Sequence, residues 1–84
     1  MPQIPQHRAA VAKNIRRYRI KAGWSQEKLA EKADLHSVHI SNLERARKNI
    51  SLDTLVKIAD ALEVRLGDLL RGAQKAPHLK RRLK

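Results

Sequence analysis

Apolar residues recur along the chain at the three- and four-residue spacing of amphipathic helices, and no stretch alternates like a strand. Val11, Ile15, Tyr18 and Ala22 are spaced four, three and four residues apart, which places them on one face of a first helix. Gly23 follows, and glycine often ends helices because it adopts left-handed backbone angles without strain. The pattern therefore predicts a helix that ends near residue 22.

A second helix is predicted directly after this glycine. Ser25 can cap it, since a serine hydroxyl accepts a hydrogen bond from the free N–H groups of a first turn. Its sequence is SQEKLAEKA, and its inner face holds Leu29, Ala30 and Ala33. Residues 34 and 35 then leave room for only a tight connection to the next helix.

The third predicted helix begins near His36 or Ser37 and has a narrow apolar face. Ile40 and Leu43 form that face. When these two side chains are buried, the residues left on the outer surface are Ser37, Val38, Ser41, Asn42 and Arg45.

The last two predicted helices are the more apolar ones. Ser51 can cap the fourth helix, LDTLVKIADALEV, and a final short helix has the sequence LGDLL. The apolar stripe of the fourth helix consists of Leu55, Ile58, Ala59 and Leu62. The sequence thus predicts a compact, all-α fold of five short helices.

This helical region has polar segments on both sides. We expect residues 1–8, MPQIPQHR, to form a flexible arm because they contain two prolines and no helical pattern. Residues 9–70 form the predicted domain. Residues 71–84 carry six Lys and Arg and no acid, and we expect a disordered basic tail there.

The charge of the chain points to a polyanionic partner. Nineteen Lys and Arg stand against eight Asp and Glu, a formal net charge of +11. So basic a domain typically binds DNA, RNA or an anionic membrane surface. Tyr18 and Trp24 are the only aromatic residues, too few for the stacking surfaces that bind single strands.

Other classes of function find little support. No apolar run approaches the ~18 residues of a membrane span, and a chain without cysteine suits a reducing cytoplasm. His36 and His39 have metal-compatible spacing, but no third ligand lies nearby, so we expect no metal and no cofactor. The sequence contains no nucleophile with a paired base, no phosphate loop and no paired carboxylates, so it does not suggest an enzyme.

The second and third predicted helices form a pair suited to double-stranded DNA. Two short helices joined by a tight turn are a helix-turn-helix arrangement, and Ala30 supplies a small residue for the crossing. An exposed helix with short polar side chains at its N-terminal end can enter the major groove.

At these residues the chain resembles the phage-repressor and Cro-like (Xre) helix-turn-helix regulators. The resemblance is carried by WSQEKLAEKADLHSVHISNLERARKNISLDTLVKIADALEV and extends from about Val11 to Leu70. The matching positions are Ser25, Gln26, Leu29, Ala30, Leu35, Ile40, Ser41, Glu44, Ser51, Thr54, Leu55, Ala59, Ala61 and Leu62. The resemblance implies a lambda-repressor-like domain that binds a palindromic operator in double-stranded DNA as a homodimer. Such a regulator is expected to be a Cro-type repressor or a restriction–modification controller, cytoplasmic and nucleoid-associated, of prokaryotic or phage origin.

The resemblance also implies roles for individual residues. Ser37, Val38 and Asn42 fall where the family's recognition helix contacts base edges, and Gln26 where a glutamine binds a phosphate. Arg19 and Glu44 match an internal ion pair. Further phosphate or groove-edge contacts are expected at Ser25, Ser41, Arg45, Arg47, Lys48 and Asn49.

Dimerisation is expected from the apolar end of the chain. Part of this end is core, and the remainder resembles the two-fold dimer face that the family often has. The residues assigned to it are Leu62, Val64, Leu66, Leu69 and Leu70.

Four residues depart from the family pattern. Asp34 and Ala46 stand where the family usually has glycine, His36 replaces a Ser or Thr cap, and Ile50 replaces a common proline. These departures could shift the turn and the helix starts by one residue.

Two other functions remain open. One is an antitoxin that binds a toxin through its leucine-rich face and represses its own operon. The other is a non-specific nucleic-acid packing protein, which would bind every duplex with equal affinity.

Overall fold

The computed structural model describes residues 4–74, which contain five α-helices and no strand. The helices are α1 (Gln6–Lys21), α2 (Gln26–Ala33), α3 (Ser37–Glu44), α4 (Leu52–Leu62) and α5 (Leu66–Leu69). The predicted all-α, five-helix fold is confirmed. Of the predicted basic tail, residues 75–84 lie outside the described residues. Within 4–74, no helix has the length and apolarity needed to cross a membrane.

The first helix begins earlier than the sequence predicts. Pro5 is its N-cap residue, so Gln6, His7 and Arg8 form the first turn of α1 instead of an arm. The predicted boundary at residue 8 is therefore wrong. Proline is compatible with a helix start because the first N–H groups of a helix have no intrahelical partner.

A single core joins the five helices. Each helix contributes one large side chain with no exposed surface: Ile15, Leu29, Ile40, Ile58 and Leu69. Tyr18, Trp24, Leu35 and Ile50 pack around this cluster as partly buried side chains. Because α3 supplies Ile40 to the same core, its position is set by the packing of the whole domain.

The C-terminal end of the fold is held by a buried asparagine. Asn14 Nδ2 donates to the carbonyl oxygens of Leu69 and Arg71, both at 2.9 Å, which satisfies carbonyls at the end of α5 that have no helical partner. Leu69 is fully buried within the protomer. Its assignment to a dimer interface is therefore wrong, because its side chain has no surface left to offer a partner.

Three helices end at non-glycine residues with left-handed backbone angles. Asp34 follows α2 with φ 58°, Ala46 lies just beyond α3 with φ 57°, and Glu63 follows α4 with φ 58°. Asp34 and Ala46 thus adopt the glycine geometry although they are not glycine, and the cap of α3 remains at His36. A residue with a Cβ atom is strained in this region by about 1 kcal/mol.

Replacing Glu63 by glycine is expected to stabilise the domain by about 1 kcal/mol, because it removes that strain and a carboxylate from the negative end of the α4 dipole. The melting temperature should rise by about 4–8 °C. Lys57→Gly is the matched control, since Lys57 is exposed within α4, where glycine costs about 1 kcal/mol. A lower melting temperature for Glu63→Gly would contradict the strain argument.

Candidate nucleic-acid interface

Helices α2 and α3 are joined by a tight turn of defined geometry. Ser25 Oγ accepts a hydrogen bond from the backbone N–H of Lys28 at 3.0 Å, which caps α2. At the other end, the N–H of Leu35 donates to the carbonyl of Ala30 at 2.8 Å. With Asp34 in the left-handed region, the chain turns within residues 34–36 and enters α3 at Ser37.

The outer face of α3 is polar except at one position. Ile40 and Leu43 are buried, whereas the side chain of Val38 is 69% exposed. Ser41, Asn42 and Arg45 follow Val38 by three, four and seven residues and therefore share its face of the helix. Ser37 is partly buried at the edge of this face. The structure thus brings Val38 and Asn42 together with Ser41 and Arg45, and Ser37, one turn before Ser41, borders the same face and is partly buried like Ser41 and Asn42.

An ion pair fixes the end of α3 to α1. Arg19 Nε lies 2.7 Å from Glu44 Oε2, and Arg19 Nη2 donates to Glu44 Oε1 at 3.0 Å. The third donor, Arg19 Nη1, binds the carbonyl oxygen of Trp24 at 2.7 Å. The side chains are only 12% and 4% exposed for Arg19 and Glu44. Such a pair orients the helix, and its charges are not free to contact a ligand.

The same carboxylate orients Gln26 at the start of α2. Gln26 Nε2 donates to Glu44 Oε1 at 3.2 Å. An amide nitrogen carries two hydrogens, so the second one remains to donate to an anion. Ser25 has an analogous arrangement, since its oxygen accepts the cap hydrogen bond and its hydroxyl hydrogen remains available.

The loop after α3 carries exposed cations and one tethered side chain. Arg47 and Lys48 are exposed, whereas Asn49 Oδ1 accepts a hydrogen bond from Arg8 Nη2 at 2.6 Å. Sequence reasoning missed Arg8, because it assigned residue 8 to the arm and because no local pattern links positions 41 residues apart. The resulting surface combines a polar helix face with Arg8, Arg45, Arg47 and Lys48.

The two histidines near α3 do not form part of a larger ligand set. Within residues 4–74 no three histidine, aspartate or glutamate side chains are grouped so as to hold a metal ion. The side chains at this surface offer hydrogen bonds, apolar contact and positive charge.

Comparisons with known proteins agree with this geometry. A helix-turn-helix family model matches residues 15–69. A hypothetical transcription factor from Neisseria meningitidis serogroup B is 41% identical over 70 residues, 83% of this chain and 66% of that protein, just under two thirds of its length. Control protein C.BamHI from Bacillus amyloliquefaciens is 45% identical over 64 residues, 75% of this chain and 79% of that protein.

A solved structure shows the same architecture. The restriction-modification controller protein C.AhdI from Aeromonas hydrophila superposes with a TM-score of 0.72 at 31% identity, covering 74% of this chain and 94% of that one. The family predicted from the sequence is confirmed by these matches. With 55 of its residues within the family model, this chain belongs to the helix-turn-helix family of DNA-binding transcription regulators of the Xre and Cro/C1 type.

Proposed function

We propose that this chain is a controller protein that binds a palindromic operator in double-stranded DNA as a homodimer and regulates transcription from it. The observation that carries the proposal is the outer face of α3, where Val38 is 69% exposed among polar side chains. An exposed valine gains nothing in water. The 45% identity to control protein C.BamHI supports the controller assignment.

The side chains on this face suit the edges of bases in the major groove. The methyl groups of Val38 fit against a thymine methyl, and the Asn42 amide can bind adenine through two hydrogen bonds. Ser37 and Ser41 can donate to or accept from either kind of base. Sequence discrimination would therefore come from Ser37, Val38 and Asn42, with Ser41 beside them.

Contacts to phosphates would position the helix. Gln26 and Ser25 each retain a donor hydrogen at the start of α2, where the helix dipole also favours an anion. Arg45, Arg47 and Lys48 supply charge at the other end of α3. Asn49, held by Arg8, would complete a second phosphate contact in the loop.

The proposed dimer face uses apolar side chains of α4 and of the α5 region. Val56 of α4 is 40% exposed and Leu70, just after α5, is 39% exposed. Leu66, four residues before Leu70, is partly buried. Leu62 and Val64, which the sequence also assigned to this face, line a groove against α1.

Binding-site selection from random duplexes tests the proposed function. We expect an enriched palindrome whose half-sites lie about one helical turn, ~34 Å, apart. Absence of any enriched motif would favour non-specific packing of nucleic acid. An antitoxin would contact DNA in the same way, so co-purification with a toxin would distinguish that alternative.

Replacing both Arg47 and Lys48 by alanine is expected to weaken binding to every duplex alike, because phosphate contacts carry no sequence information. Each lost phosphate contact lowers the slope of log affinity against log salt by about 0.9. The slope should therefore fall by about 2 per protomer, measured by fluorescence anisotropy over a salt series.

Lys32→Ala combined with Lys57→Ala is the matched control, since these exposed lysines line a shallow pocket between α2 and α4. This control should change the slope much less. A loss confined to the operator, with random duplexes unaffected, would contradict the assignment of Arg47 and Lys48 to phosphates.

A further inference from the structure

A groove lies between the C-terminal ends of α1 and α4. Tyr18, Ala22, Leu62 and Val64 form its apolar lining, and Lys21 stands at its edge. Its volume is about 250 Å³, below the ~300–1,000 Å³ of most small-molecule sites. The groove therefore has room for a large apolar side chain of a partner and is smaller than most drug-sized sites.

Two exposed cations of α1 stand beside the groove, with one exposed acid, Glu63, between the lining residues Leu62 and Val64 in the chain. The guanidinium of Arg17 lies 5.4 Å from the centre of the Tyr18 ring, and both Arg17 and Lys21 are exposed. Helix α1 contains no acidic residue. Among the residues that the structure describes, neither of these two cations takes part in an ion pair. Their charges are free to meet carboxylates of a partner.

The two cations beside the groove point away from the recognition helix. Arg17 and Lys21 each lie two residues from Arg19 and are rotated from it by about 160° around the helix. Arg19 itself points at Glu44, the last residue of α3. A duplex held by α3 would therefore leave the Arg17 and Lys21 side of α1 uncovered.

The possible occupants of the groove differ in charge and in the side chains they can offer. A second copy of this chain is assigned to the separate face at Val56 and Leu70, and its net charge of +11 gives it no excess of carboxylates for these cations. Residues 75–84 carry five Lys and Arg and no acid, so the sign of their charge is also wrong. A duplex would satisfy the cations but has no side chain to fill the apolar lining.

We propose that this groove binds an acidic segment of another protein, with a large apolar side chain in the groove and carboxylates at Arg17 and Lys21. This interaction goes beyond operator binding and does not depend on it. Since Arg17 and Lys21 lie about 160° around α1 from Arg19, the protein can hold DNA and the acidic partner at the same time.

The test uses a synthetic helical peptide of Glu and Ala with two Leu one turn apart, added to the full chain with and without bound operator. We expect the peptide to shift the NMR signals of Tyr18 and Val64 in both states and to leave those of Val38 unchanged. Arg17→Glu combined with Lys21→Glu should weaken peptide binding about tenfold, because each reversed charge replaces an attraction by a repulsion.

Lys32→Glu combined with Lys57→Glu makes the same change in net charge outside the groove and should weaken the peptide much less. A peptide with Ser in place of both Leu should also bind more weakly. Equal weakening by the two charge-reversed pairs, equal binding of the Ser peptide, or displacement of the peptide by operator DNA would each overturn the proposal. Should the reversed pair lower the melting temperature, Arg17→Gln with Lys21→Gln gives the same test with a smaller expected effect.

Discussion

Replacing Arg19 by methionine is expected to lower the free energy of unfolding by about 3–5 kcal/mol. The variant leaves the Glu44 carboxylate, whose side chain is 4% exposed, without its cation. Among residues 4–74, only the Gln26 amide would still donate to it, and a buried charge without a partner is costly. Domains of this size have total stabilities of roughly 5–15 kcal/mol, so urea denaturation should show a large loss.

Two further variants make this prediction specific. Arg19→Met combined with Glu44→Met removes both charges and should recover much of the loss, because replacing a whole buried pair by apolar side chains is often nearly neutral. Lys28→Met breaks the exposed Lys28–Glu31 pair, whose atoms are 3.6 Å apart, and should cost less than about 1 kcal/mol. A similarly small loss for Arg19→Met would show that the pair does not hold α3 in place.

Replacing Ser37, Val38 and Asn42 together by alanine is expected to abolish discrimination between operator and random DNA. Specific sites are typically bound at least about 10³-fold more tightly than random duplexes, and each lost base contact removes about 1–3 kcal/mol of discrimination. The ratio of the two affinities should fall close to unity. Fluorescence anisotropy with the selected operator and a scrambled duplex, at one salt concentration, measures it.

The fold of this triple variant should remain intact. Ile40 and Leu43, which anchor α3, are unchanged, and alanine has the highest helix propensity. Circular dichroism and the melting temperature provide the check. The Arg47 and Lys48 variant is the complementary control, since it should lower both affinities and preserve their ratio. Discrimination that survived the triple substitution would place base recognition elsewhere in the protein.

The helices were predictable because their apolar spacing is regular. Ile15, Leu29, Ile40 and Ile58 each fall on a predicted inner face and are each fully buried. The start of α1 was not predictable, since a proline before a helix and a proline in an irregular arm look alike in sequence. Leu69 was misassigned because a short leucine-rich helix does not reveal which leucine faces inward. In the structure Leu69 faces inward, and hydrogen bonds from Asn14 hold the end of α5 next to it.

The candidate site was predictable at the level of one helix face. Burial of Ile40 and Leu43 is enough to turn Val38, Asn42 and Arg45 outward. The bond between Arg8 and Asn49 was not predictable, since it depends on how α1 packs over the α3–α4 loop. The same holds for the groove beside Tyr18, where residues from α1 and from the end of α4 come together only in the folded chain.

The contribution of one fully buried side chain by every helix has a consequence for how such regulators can diversify. A segment of eight residues is too short to stay helical by itself in water, so α3 keeps its form only while the rest of the domain is folded. Its inner positions are consequently constrained by stability, whereas its outer positions are free to vary. New operator preferences can therefore arise through substitutions that leave folding unchanged. Loss of any one of the five fully buried side chains, in contrast, would unfold α3 with the rest of the domain and abolish DNA binding.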